Sequence, residues 1–569
     1  MKEKLKKLKS NKLFIVILIN LTIFSLVNII FNIKYEQVDD FIIYNLYSGL
    51  DGTYNLHGIY IHPVICMILS ALFRIIPTIN WHTIFLLIMQ FICFTIIGNR
   101  ILRKNNSKKE IIIYILFASV FYTSLLLLIQ YTSVSALLIL TAFFMLVDDF
   151  ERNINKRSST ILNCILFAIG IMTRMQSLLI IVPFFILYAL YYITKWIKKD
   201  IETKRILDLL KKYIILALLT ILVYISNIII YQSNDLYKEY MEYNNVRAIL
   251  HDMSYTSYKE NKEIFDEIGW SENDHYLFYT FNFGDEKIYS KENLEKILNY
   301  KISKNEYFNL NLKFKQIEGQ LLDEMKNTNT YISILFISIF FTSIIMNKEK
   351  TKFSVAIFLT TIGVNILFII LNRSMLRVVI PEYILGTALL IYFTKLKAEK
   401  EEKIKERDLI ISILIIFFAI IFAGDKYEFG YAVKDYEQYQ NVIEYTNSHK
   451  ENVYLYTVPS LQFRYLAYSV YKMPEKGAFS NLRVMGGWDM FTKNYYDFKE
   501  RYNLEGTFLD VLKENVYLID GDVIWSGNRY HNYIENIVKF IQEHYKKEVE
   551  YKKIEEFDNI YIYKITEKN

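Results

Sequence analysis

Cysteine is scarce in this chain. It has three, Cys66, Cys93 and Cys164, each inside an apolar run, so neither a disulfide framework nor a cysteine metal cluster can be built from them. Also missing are a Walker A sequence, a glycine fingerprint opening a helix after a strand, a G-x-S-x-G elbow and an HExxH pair. These absences speak against nucleotide-driven chemistry, ATP-driven transport included, and against serine hydrolases and zinc proteases. The net charge of +6 is too small to argue for nucleic acid as a partner. No collagen, coiled-coil or solenoid period runs through the chain, and no low-complexity linker divides it.

What the chain does have is apolar residues in blocks. They make up 53% of it and fall in long runs, such as Leu13 to Ile33 and Tyr213 to Ile230, rather than at helical spacing. A run of about twenty apolar residues matches roughly 30 Å of hydrocarbon at 1.5 Å per residue. The first run is too long for a cleavable signal peptide and no small-residue cleavage site follows it, so it is expected to stay as an anchor. Short lysine- and arginine-rich segments separate the runs, as the positive-inside rule expects of cytoplasmic loops. The piece from Pro63 to about Pro77 is too short to cross comfortably and reads as a re-entrant or interfacial helix. With it left out, every basic loop falls on one side.

The expected fold is therefore a polytopic α-helical membrane protein with about eleven spanning helices, N-terminus inside and C-terminus outside. The division reads as an N-terminal membrane region over residues 1–231 with an external segment at 34–62, and an external loop at 232–329. A second membrane region follows over 330–424, then an external α/β domain over 425–569. In that tail NVYLYTV at 452, NVYLID at 515 and NIYIYKI at 559 read as strands, and Tyr436 to Ser448 and Asn532 to Tyr545 as helices. In the long loop, Lys259 to Ile268 and Ser290 to Leu298 read as amphipathic helices, with Ser290 and Asn293 plausible starts.

The strongest chemical candidates are Asp39 and Asp40, in VDDF beyond the first span. Carboxylates at a membrane edge are costly if the chain folds over them, and such placement usually marks function. Their mutual repulsion could raise one toward a value suited to proton abstraction. An acidic pair after the first span, then a tyrosine-rich segment and a His-Pro opening a short helix (YIHPVICMILSALFR, from Tyr60), resembles the GT-C glycosyltransferase superfamily. The layout is similar to protein O-mannosyltransferases and lipid A aminoarabinose transferases. The family's pair is commonly Asp-Glu where this chain has Asp-Asp, and its second proline after His-Pro is Val64 here.

The resemblance implies a polyprenyl-phosphate sugar as donor, a cell-envelope glycan or glycolipid as acceptor, and Asp39 or Asp40 as the base. The leaving phosphate needs cations, and the arginines expected at one membrane edge, Arg174 in MTRMQ and Arg373 and Arg377 in LNRSMLRVVIPEY, offer planar donor forks. Tyr60, His57 and His62, around the short helix, are further candidates for substrate contact, with helix capping the plainer role for the histidines. No metal ligands are assigned and no cofactor is required, although a divalent cation shared by Asp40 and another external acid is left open. Trp488, in GGWDMF, reads as packing more than as a ligand platform. The rival functions are an envelope polysaccharide polymerase and a non-enzymatic transporter.

Overall fold

The apolar runs fold as helices because a hydrocarbon surround leaves the backbone no hydrogen-bond partners but its own. The structure, a computed structural model, describes residues 12–36, 38–102, 108–253, 255–304, 318–319, 330–371, 373–394, 414–421, 436–458, 460, 464, 468–521, 523–525, 528–530 and 533–568. The basic N-terminal run, the KLKAEKEEKIKER loop, the end of the long loop and both ends of the expected last span lie outside the described residues; 414–421, within that span, is helical.

In the N-terminal half the helices are α1 (Lys12–Ile30), α2 (Asp39–Ser48), α3 (Pro63–Ile75), α4 (Trp81–Leu102), α5 (Lys108–Leu127), α6 (Tyr131–Glu151), α7 (Arg157–Thr173), α8 (Leu178–Ile197) and α9 (Thr203–Gln232). The long loop forms α10 (Asp235–Ala248), α11 (Lys262–Glu267), α12 (Glu272–Tyr279) and α13 (Lys291–Ser303). Then come α14 (Thr330–Met346), α15 (Thr351–Ile370) and α16 (Leu376–Phe393), and in the tail α17 (Tyr436–Ser448), α18 (Lys493–Arg501) and α19 (Ile534–Tyr545). Eight of these, α1, α4, α5, α6, α8, α9, α15 and α16, are long and apolar enough to cross a membrane. The protein is thus a polytopic, membrane-embedded helical protein. Two runs counted from sequence as spans, α7 and α14, are shorter at 17 residues each, and the piece read as non-crossing, α3, has 13.

The helix α6 is buried over its whole candidate span and forms the centre of the bundle. Its small polar residues admit close neighbours: Ser135 Oγ donates to the Gly170 carbonyl of α7 at 2.7 Å. A Cβ on Gly170 would stand 2.7 Å from Ile139, so this crossing needs glycine. At the periphery α9 exposes Ile214, Leu218, Leu222, Ile225 and Ile229, an apolar face suited to lipid.

Two short strands, β1 (Lys34–Tyr35) and β2 (Leu128–Ile129), pair in parallel and tie the segment after α1 to the α5–α6 junction. The tail carries β3 (Val453–Tyr456), β4 (Leu482–Val484), β5 (Val516–Gly521), β6 (Val523–Trp525), β7 (Asn528–Tyr530), β8 (Val549–Phe557) and β9 (Ile560–Glu567). Five of them form one sheet in the order β4-β3-β5-β9-β8, with β3 parallel to both neighbours and β9 antiparallel to both of its own. The strand alternation is used on both faces. Tyr454 and Tyr456 join the core shared with the bundle, while Val453 and Leu455 face a second core. That second core holds Trp270, Phe278 and Leu294 of the long loop together with Leu518, Phe540 and Ile565 of the tail. Loop and tail, read from sequence as two domains, pack as one unit on one end of the bundle.

Candidate active site

The segment following β1 is a helix, α2, that opens on Asp39 and Asp40. It ends at Gly49, in the left-handed region at φ 80°, with the Tyr54 ring filling the space a side chain would need. Successive helical residues are turned about 100° apart, so the two carboxylates face different surroundings. Asp40 is fully buried. Its Oδ1 meets His82 Nε2 at 2.9 Å and accepts from the Tyr131 backbone N–H at 3.0 Å. His82, also fully buried, contacts the Tyr47 hydroxyl through Nδ1 at 2.6 Å. Burial raises Asp40 above the ordinary carboxylate value, with the His82 contact opposing. Its second oxygen, Oδ2, has no hydrogen-bond partner among the described residues.

Asp39 is half-buried, and its Oδ1 accepts a hydrogen bond from the Trp488 indole N–H at 3.1 Å. Trp488 comes from the tail and is held from three sides. The Gly487 N–H donates to the Phe281 carbonyl at 3.0 Å, and a Cβ on Gly486 would stand 1.7 Å from that same oxygen, so only glycine fits. Tyr240 donates to the Trp488 carbonyl at 2.6 Å. The Tyr60 ring meets the indole at 4.9 Å and 68°, an edge-on contact.

Arginines gather at the same end of the bundle. Arg174, just past α7, donates from Nη1 to the Tyr131 hydroxyl and, at 3.0 Å, to Thr132 Oγ1, and lies over the Tyr60 ring at 5.4 Å. Arg377, in the first turn of α16, places Nη1 at 4.0 Å from Glu36 Oε2 and lies within electrostatic range of Asp39 and Asp40. Burial pushes Glu36 up to about 7, with Arg377 opposing. Arg373 stands 3.8 Å from Asp252, which also takes Arg247 at 3.1 Å and His251 at 3.2 Å. Burial alone would raise Asp252, but His251, Arg247 and Arg373 together hold it below its ordinary value. Burial lowers Arg373; Asp252 opposes, and the charges of Arg174 and Arg377 add to the lowering. Such crowding of cations favours an anion among them.

Of the residues singled out from sequence, Asp39, Asp40, Tyr60, Arg174, Arg373 and Arg377 therefore assemble in one region. His57 and His62 are engaged elsewhere. His57 stacks on Tyr237 at 3.8 Å. His62 caps α3, its Nδ1 accepting from the Val64 N–H at 3.3 Å while Nε2 meets Ser226 Oγ at 3.1 Å. Sequence reasoning missed His82, Glu36 and Arg247. His82 carried a signal, an ionisable residue at the mouth of an apolar run. Trp488 was noticed but read as packing; no local pattern places it on Asp39.

The site joins a half-buried carboxylate, a buried Asp–His pair and several guanidinium groups, a set in which a base stands near cations suited to an anion. Among the described residues, the group of histidine and carboxylate side chains close enough to share an ion lies elsewhere, at Asp274, Glu543 and His544. Comparison of the chain with models of protein families, and with curated protein sequences, finds no match.

Proposed function

We propose that the protein transfers a sugar from a polyprenyl-phosphate-linked donor to a cell-envelope acceptor at the outer face of the cytoplasmic membrane, as an inverting enzyme of GT-C type. In this reading the N-terminus is cytoplasmic and the tail external. The observation that carries it is a half-buried Asp39, held by Trp488, within electrostatic range of Arg377 and, through it, of the neighbouring guanidiniums. Asp39 is the base: its carboxylate takes the proton of the acceptor hydroxyl as that oxygen attacks the anomeric carbon. The bond from that carbon to the phosphate oxygen breaks, and Arg174, Arg373 and Arg377 stabilise the phosphate that leaves. Asp40 is a positioning residue, since full burial keeps it from an acceptor while His82 and the Tyr131 N–H fix its place.

The test is sugar transfer by the purified protein in lipid, with a panel of polyprenyl-phosphate sugars and envelope extract. Asp39→Asn is expected to abolish transfer and Asp40→Asn to reduce it. Equal transfer by wild type and both variants would sink the assignment and favour a polymerase that does not use the acidic pair.

A further inference from the structure

Far from the acidic pair in sequence, the contact between loop and tail includes a mixed set of donors. Asp274, in the first turn of α12, meets Glu543 and His544, in the last turn of α19, with one potential ligand atom from each lying within 4.8 Å of the others. His544 Nε2 and Asp274 Oδ2 are 2.8 Å apart. Ser271, the cap of α12, donates from its backbone N–H to the same Asp274 oxygen at 2.7 Å and from its hydroxyl to Glu543 Oε2 at 2.8 Å. These bonds hold both carboxylates and the imidazole close together.

A second observation makes this more than an ion pair. Asp274 is fully buried, and its other oxygen, Oδ1, has no hydrogen-bond partner among the described residues. A buried carboxylate oxygen left without a partner costs free energy, and a cation that Asp274 held through Oδ1, alone or with Oδ2, would remove that cost. The surroundings are negative as well. Burial raises Tyr258, and Asp266, Glu272, Asp274 and Glu543 raise it further. Lys539, 3.7 Å from Glu543, is the cation that an ion would have to outcompete, and its side chain is 57% exposed. His544 and Glu543 are partly open to solvent, so an ion has a way in.

We propose that Asp274, Glu543 and His544 form a binding site for a divalent transition ion of the Zn²⁺ class, which fastens the long loop to the tail. One imidazole nitrogen with two carboxylates is a donor set that suits zinc, with water completing the shell. Ligand atoms about 2.1 Å from a tetrahedral ion stand roughly 3.4 Å apart, so the imidazole–carboxylate hydrogen bond opens slightly to admit the metal. The ion sits between segments more than two hundred residues apart in the chain, and its binding energy stabilises their contact.

The experiment is calorimetric titration of the chelator-treated, full-length protein in detergent with ZnCl2, beside Glu543→Gln and His544→Gln. Both substitutions sit at partly exposed positions, and circular dichroism checks that the variants keep the wild-type fold. The expected result is one Zn²⁺ per chain, at least tenfold weaker in each variant, with Zn²⁺ raising the unfolding temperature of wild type more than that of either variant. Zn²⁺ bound equally by all three proteins, or not bound by wild type, overturns the proposal. Neither readout depends on sugar transfer, so the result stands apart from the proposed activity.

Discussion

The same four helices, α4, α6, α7 and α16, finish in two polar clusters of opposite character. At one end Arg100 meets Asp148 at 2.6 Å and also contacts Asp149, Arg152 Nε meets Asp148 at 2.5 Å, and the Tyr392 hydroxyl reaches Asp148 at 3.0 Å. Ser159 donates to the remaining oxygen of Asp149 at 2.5 Å. Every carboxylate oxygen of that pair is occupied. At the other end Asp40 Oδ2, Glu36 Oε2 and Arg377 Nη1 lack hydrogen-bond partners among the described residues, although these atoms are buried. A saturated network clamps helices together; an unsaturated one of similar composition is poised to take a ligand. Charge alone does not tell the two apart, whereas hydrogen-bond saturation does.

The widest separation is expected from exchanging one acid at each end. Asp39→Asn should lower sugar transfer by about 100-fold or more while leaving the unfolding temperature where it was. Asp148→Asn should do the reverse, costing about 3–5 kcal/mol of stability because Arg100 and Arg152 lose a buried partner. Transfer assays and thermal unfolding on both variants decide it, and the comparison breaks if the two behave alike. Next in size, Arg377→Met should weaken binding of a polyprenyl phosphate by about 10- to 100-fold, the worth of a hydrogen bond to a charged group. An unchanged dissociation constant would remove Arg377 from the anion site.

A smaller effect concerns pH. Glu36 moves from 4.5 to about 7 in the folded protein, so folding favours its protonated form. Its contribution to stability is then complete below about 4.5 and is lost as pH rises through about 7. Wild type should therefore lose stability relative to Glu36→Gln between pH 5 and pH 8, and parallel unfolding curves would contradict this. Smallest of all, Trp488→Phe keeps the ring but removes the donor to Asp39. A loss of about 1 kcal/mol, several-fold in transfer rate, is expected.

Much of the fold was legible because periodicity is local. The helix at Tyr436–Ser448 matches its sequence bounds, Ser290 caps α13 through the Asn293 N–H, and the three tail strands fall on the β-branched, tyrosine-rich runs. Asp39, Arg174, Arg373 and Arg377, which the structure gathers in one region, stood out in the sequence because charge at an apolar boundary is costly and conspicuous. The different surroundings of Asp39 and Asp40 were not legible, since they depend on the phase of a ten-residue helix that looks like loop in sequence. Arg247 was hidden for another reason: it stands in a polar stretch, where an arginine is unremarkable, and only folding buries it against Asp252. The shared core of loop and tail rests on contacts such as Ser271 with Glu543, which no window along the chain can register.

The glycine pair before Trp488 has a consequence for inheritance. Because the Phe281 carbonyl fills the place of a side chain at Gly486, the tail's turn has been shaped against one backbone path of the loop. Neither segment can be exchanged alone between diverged copies of such a protein without disturbing the reach of the indole to Asp39. Recombination that keeps this contact must carry the turn around Phe281 and the turn at Gly486 and Gly487 together.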